Sequence, residues 1–179
     1  MQNNNFFSKY YKELNELINS VDSAYLNKIA NEITKCSVDG GKIIAVGNGG
    51  SAAIVNHFTV DLTKTCSIRA VNFNESSLLT CFGNDYGYEH WVVEALKAYA
   101  DPNDIVILIS SSGESMNIVN AAKWCNNNNI SSICLSGFKP DNSLKRYGNF
   151  HLWVNSKKYN HVENCHQVWL LSLLDFINS

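Results

Sequence analysis

Lys42-Ile-Ile-Ala-Val-Gly47-Asn-Gly-Gly-Ser51 decides the fold of this chain: a short aliphatic run passes through a glycine turn directly into the helical pattern Ala52-Ala-Ile-Val-Asn-His-Phe-Thr-Val-Asp-Leu-Thr63. A strand that is apolar throughout is buried on both faces, and parallel strands need a crossover, usually a helix, to return. The same unit recurs. Residues 68–73, 104–110, 130–136 and 150–154 are short runs, mostly β-branched or aliphatic, and helical stretches separate them. This alternation predicts an α/β fold, a doubly wound parallel sheet covered by helices on both faces.

Upstream the period changes to that of a helix. Phe6, Phe7, Tyr10, Tyr11, Leu14, Leu17 and Ile18 recur at helical spacing over residues 6–19, and a second helix of similar pattern spans 23–35. The chain therefore reads as a single domain, 1–179, in which an N-terminal helical hairpin (1–37) precedes an α/β sandwich (38–179). The aromatic stripe of the hairpin carries more apolar surface than two helices can hide by themselves, so a homo-oligomer is expected.

Of 179 residues, 45% are hydrophobic and 17% charged, and 14 Lys+Arg against 16 Asp+Glu leave a formal charge of −2. That balance offers no general attraction to nucleic acid or to an anionic membrane, and neither is expected as a direct partner. The longest apolar runs, such as 105–109 and 168–171, fall far short of the roughly 20 residues that span a bilayer. Met1-Gln-Asn-Asn-Asn has neither a cationic nor an apolar leader region, so a cytoplasmic location is expected. The six cysteines (Cys36, Cys66, Cys81, Cys125, Cys134, Cys165) are scattered without a C-x-x-C pair, and they read as reduced and mostly buried.

In open α/β sheets ligands bind beyond the carboxyl ends of the strands, so the loops that follow strands carry the chemistry. Ser110-Ser-Ser-Gly-Glu-Ser115 follows the third strand and opens a helix. Capping that helix needs one hydroxyl. Four hydroxyls, free backbone N–H groups and a helix dipole instead form a neutral cradle for a phosphate, without any lysine. The glycine turn at 47–51 reads equally as a close backbone approach to a ligand or as a plain strand-to-helix turn. His57 and Asp61, four apart, share one helix face, and Glu163 and His166, three apart, share another. Such pairs can hold a divalent metal or act as acid and base; ordinary histidine–carboxylate hydrogen bonds are the simpler reading of the same spacing. His90, His151 and His161 have no such partner and read as surface or structural.

Gly47-Asn-Gly-Gly-Ser51, His57-Phe58 followed by Asp61, Asn84-Asp85-Tyr-Gly-Tyr88, Ser110-Ser-Ser-Gly-Glu-Ser115 and Glu163-Asn-Cys-His166 occur in one fixed order. Together they resemble the sugar isomerase (SIS) domain, specifically its sedoheptulose 7-phosphate (phosphoheptose) isomerase group, over nearly the whole chain. The resemblance implies a five-stranded, flavodoxin-like parallel sheet and a homotetramer with sites at subunit interfaces. It implies a sugar phosphate held by Ser110, Ser111, Ser112 and Ser115, with Asn48, Ser51 and Asp85 lining the sugar site. It further implies interconversion of aldose and ketose phosphates through an enediol, and a zinc ion that some members hold. Here that ion would fall to His57, Asp61 and Glu163, with His166 as a fourth donor.

Four positions depart from the family pattern: Asp61 replaces the glutamate base, Glu163 a glutamine, Leu171 the catalytic histidine, and Ala52 a frequent histidine. Leucine neither transfers protons nor binds metal. On that reading Asp61 is the base and Glu163 the second acid/base group. Three functions stay open: a phosphoheptose-type isomerase with a rearranged acid/base set, a catalytically silent regulatory tetramer of the kind that binds the bacterial replication initiator, and an SIS isomerase acting on another sugar phosphate.

Overall fold

Five strands, β1 (Ile43–Gly47), β2 (Ala70–Asn72), β3 (Ile105–Ser110), β4 (Ser131–Ser136) and β5 (Phe150–Trp153), pair in parallel in the order β2-β1-β3-β4-β5. The computed structural model describes residues 5–179. In register, Ile43 to Gly47 face Ile105 to Ile109, and Ile105 to Ser110 face Ser131 to Ser136. Every residue of β1 and β3 is buried, as the unbroken apolar runs require. The pleat sends alternate residues to opposite faces. Ile43, Ala45, Ile105, Ile107 and Ile109 enter one core layer, whereas Ile44, Val46, Val106 and Leu108 enter the other.

Helices α2 (Ser23–Val38), α3 (Gly50–Lys64) and α7 (Tyr159–Ile177) close the first layer; α5 (Trp91–Tyr99) and α6 (Met116–Asn127) close the second. The segment between β2 and β3 holds two helices, α4 (Ser76–Tyr86) and α5, split where Gly87 takes a left-handed φ of +82°. β2 is shorter than its apolar run because the Asn72 side chain accepts a hydrogen bond from Asn74 N–H, an Asx turn that ends the strand.

The N-terminal pair is less of an appendage than its sequence suggests. α2 contributes Ile29, Ala30, Ile33 and Cys36 to the first core layer. α1 (Phe6–Ile18) instead lies on α7, held by Trp169 Nε1 donating to the Ile18 carbonyl (2.9 Å) and by the Tyr10 ring edge-on to His161. It buries no residue completely, and Phe6, Phe7 and Tyr11 are each at least 60% exposed. All six cysteines are free, four of them buried, and burial pushes the Cys125 and Cys134 thiols up to about 12. Among the described residues no helix is long and apolar enough to cross a membrane.

Candidate active site

The strand order reverses direction between β1 and β3, because the chain leaves β1 toward β2 on one side and β3 toward β4 on the other. At such a switch point the two crossovers diverge and leave a crevice beyond the strand ends. The glycine turn after β1 and the serine loop after β3 form its two walls. Gly49 sits at φ +55°, and Gly50 opens α3. A Cβ on Gly50 would lie 2.4 Å from Glu163 Oε2, so the missing side chain makes room for a carboxylate arriving from α7.

The serine loop is organised by its own hydroxyls. Ser110 Oγ and Ser115 Oγ are 3.0 Å apart, Ser115 N–H donates to Ser110 Oγ (3.3 Å), and Glu114 N–H donates to Ser112 Oγ (3.2 Å). Ser115 is the N-cap residue of α6, yet its side chain makes no capping bond. The first turn of α6 thus keeps N–H groups available to an anion. Ser111 Oγ donates to Glu163 Oε1 (3.2 Å), which ties the loop to the carboxylate opposite.

A second layer braces this loop. Gly113, at φ +71°, lies so close to Asn142 that a Cβ there would meet the amide at 2.1 Å. Asn142 is buried and starts a 3-10 turn (Ser143–Arg146), where Leu144 N–H donates to the Gly113 carbonyl and Ser143 N–H to Glu114 Oε1. The Ser143 hydroxyl and then its backbone N–H hold the Glu114 carboxyl below its ordinary range.

The resulting cleft has a volume of about 130 Å³. Asn48, Ser51, Ser110, Ser111, Ser112, Ser115 and Glu163 all line it, together with Ile109 and Tyr159. No lysine or arginine is among them. The lining therefore offers neutral hydroxyl donors on one wall and a single carboxylate, Glu163, opposite them.

The remaining sequence candidates lie elsewhere within one chain. His57 and Asp61 pair with each other on exposed α3 surface, Nε2 to Oδ2 3.0 Å. Asp61 stands eleven residues beyond Gly50, roughly 16 Å along the helix axis, out of reach of its own cleft. Asp85, exposed at the end of α4, accepts from Asn84 Nδ2 (2.9 Å). His166 shares a helix side with Glu163 but not its surroundings: it is fully buried, and its ring Nε2 lies 3.1 Å from the Ser136 carbonyl. Burial lowers its pKa to about 4, so the ring is neutral and Nε2 carries the proton donated to that carbonyl. Its Nδ1 has no partner. Among the described residues no three His, Cys, Asp or Glu side chains gather as a metal would need. The four-donor set His57, Asp61, Glu163 and His166 is not assembled inside one chain, because His166 points into the core and the His57–Asp61 pair lies far along α3.

Tyr159, Asn117 and Asn142 escaped the sequence reading. Tyr159 sits at the first turn of α7, where nothing local marks it as facing a cleft. Asn117 is a polar residue inside the α6 helix and Asn142 lies in the loop before the 3-10 turn, and the burial of neither could be read from periodicity.

A hydroxyl-lined cleft at the switch point of a five-stranded parallel sheet defines the class, and the chain belongs to the SIS domain family, whose model matches residues 9–137. Within that family it is phosphoheptose-isomerase-like. It is 30% identical over 178 residues to a phosphoheptose isomerase of Syntrophotalea carbinolica, covering 94% of this chain and 90% of the relative. The solved phosphoheptose isomerase from Neisseria gonorrhoeae superposes with a TM-score of 0.87 at 27% identity, covering 96% of this chain and 94% of that one. One from Francisella tularensis gives 0.88 at 26% identity, covering 98% and 95%.

Proposed function

We propose that the protein interconverts the aldose and ketose forms of a sugar phosphate of the phosphoheptose type. The observation that carries this reading is the Glu163 carboxylate, set against the glycine turn and bonded to Ser111 in the same cleft as the serine cradle. The serine loop holds the phosphate, and Asn48 and Ser51 face the sugar. A base removes the proton from C2 of the aldose while O1 gains one, which gives the enediol; C1 is then protonated and O2 loses its proton to become the ketone. Asp61 is the base and Glu163 the second acid/base group.

Because Asp61 cannot reach the cleft of its own chain, the Asp61 that serves a cleft belongs to another copy, and Asp85 joins the sugar site in the same way. A homotetramer with sites shared across interfaces meets that requirement and covers the exposed aromatic face of α1. Free cysteines fit a reducing cytoplasm.

Zinc does not fit the donors of a single chain, and no step above uses it. A bound zinc would require His57 and Asp61 of one copy to meet Glu163 of another, with His166 adding nothing while its ring stays in the core. Metal analysis of the purified oligomer, wild type against His57→Ala, decides the point: equal and negligible zinc in both removes the metal.

The test of function is to follow C5 to C7 aldose and ketose phosphates by NMR in deuterium oxide, with and without zinc. Turnover of a heptose phosphate with deuterium entering at C1 or C2 is expected. Turnover of a shorter sugar alone would reassign the substrate. Binding without exchange for every sugar would leave a silent regulatory SIS protein, the outcome that Leu171 favours.

A further inference from the structure

We propose that Tyr88 and Asn117 are positioning residues for the sugar site, acting through Asn48, which they lock in one orientation; this rests on the isomerase reading above. Asn48 is the residue of the glycine turn that projects between two hollows. One is the serine cleft, and the other, an open hollow of about 560 Å³, is bounded by Tyr88, Met116 and Asn117. Asn48 and Ser115 line both hollows, so a ligand whose phosphate sits on the serine loop has the Asn48 amide beside it.

An amide side chain has two N–H donors and an oxygen that accepts twice. Asn48 Nδ2 donates to Asn117 Oδ1 (2.9 Å), and Asn117 Nδ2 donates back to Asn48 Oδ1 (2.9 Å). Tyr88 O–H fills the second acceptor position of Asn48 Oδ1 (3.0 Å). The oxygen is thereby fully used, while one N–H of Asn48 has no partner among the described residues. In this arrangement Asn48 presents the sugar with a single donor and no acceptor, which selects a carbonyl or hydroxyl oxygen.

The clamp is itself held. Asn117 is 2% exposed in the first turn of α6, directly after the serine loop. The turn carrying Tyr88 is fixed to α6 by Asn120 Nδ2 donating to the Glu89 carbonyl (2.9 Å), and the Tyr88 ring lies against Trp91. Asn48 from the turn after β1, Tyr88 from the α4–α5 turn and Asn117 from α6 therefore form one unit around the switch point. A chain that needed Asn48 only as a turn residue would not require two side chains from other elements to orient its amide.

The experiment is a double-mutant cycle read by calorimetric binding of sedoheptulose 7-phosphate and, separately, of inorganic phosphate. Tyr88→Phe keeps the ring and removes one hydrogen bond, so sugar phosphate binding should weaken by about three- to tenfold. Inorganic phosphate binding should change by less than about twofold, since the serine loop is untouched. Asn117→Ala should behave alike with a larger loss. In an Asn48→Ala background Tyr88→Phe should have no further effect, because its only route to the ligand is gone. A tyrosine effect of equal size with and without Asn48 would overturn the assignment, as would parallel loss of inorganic phosphate binding. A wild type that prefers sedoheptulose 7-phosphate to phosphate, with the preference surviving both substitutions, overturns this inference alone. No preference in the wild type overturns the isomerase reading and this one with it.

Discussion

At the scale of single residues, a carboxylate and a missing Cβ decide the chemistry of the cleft. Glu163 is admitted only because residue 50 is a glycine, and the atom a Cβ would strike is the far end of a flexible side chain. Gly50→Ala should therefore move the carboxylate and leave the helix intact. Displacement of about 1 Å costs on the order of 100-fold in rate, so isomerisation should fall by about that factor. The melting temperature should shift little, since alanine suits a helix better than glycine does. Unchanged turnover would remove Glu163 from the mechanism. Asp61→Asn should abolish exchange of the substrate C2 proton with solvent, and Glu163→Gln should lower it strongly; exchange that survives Asp61→Asn refutes the base assignment.

His166 gives the molecule a built-in acid sensitivity. Its folded pKa of about 4 lies below the ordinary histidine value of 6.5, so below pH 6.5 the unfolded chain binds a proton that the folded chain refuses. Stability is complete above pH 6.5 and declines as pH falls toward about 4, by on the order of 3 kcal/mol from this residue. Denaturant titrations across that range should show the slope, and His166→Gln should flatten it.

At the scale of elements, the serine loop is braced by the turn behind it. Gly113 needs its left-handed φ and has no space beside Asn142, so Gly113→Ala should destabilise by about 2 kcal/mol or more. A drop in melting temperature of several degrees is expected at this chain length, roughly 2–4 °C per kcal/mol. The hydroxyls are a different matter. Ser115 makes no cap bond, so Ser112→Ala with Ser115→Ala should keep α6 in place while removing the loop's Ser110–Ser115 and Glu114–Ser112 bonds and weakening phosphate binding, each hydroxyl contributing roughly 0.5–1.5 kcal/mol. Calorimetry with unchanged phosphate affinity would dismiss the cradle.

At the scale of the whole molecule, the two halves of the proposed acid/base set lie on different surfaces of one chain. Light scattering should give about four times the mass of a 20.0 kDa chain. Mixed oligomers reassembled from Asp61→Asn and Glu163→Gln variants should recover activity that neither has alone, because some interfaces then combine two intact groups. Monomer at micromolar concentration, or no recovery on mixing, would sink the shared site.

The sequence by itself determined the layered fold, since five apolar strands with helices between them can be buried in few ways, and the glycine and serine loops fall after strands in any of them. It also singled out the serine loop that lines the cleft, because four hydroxyls exceed what a cap uses. Only the tertiary structure decided which carboxylate stands in the cleft. Helical spacing put Glu163 and His166 on neighbouring faces, but packing turned one toward Gly50 and buried the other under the end of β4, a difference of environment that a 100° periodicity cannot express. The Asn48–Asn117–Tyr88 unit and the Asn142 brace were equally hidden, since each joins residues separated by 29 to 69 positions, and such pairings exist only once the sheet has set its order.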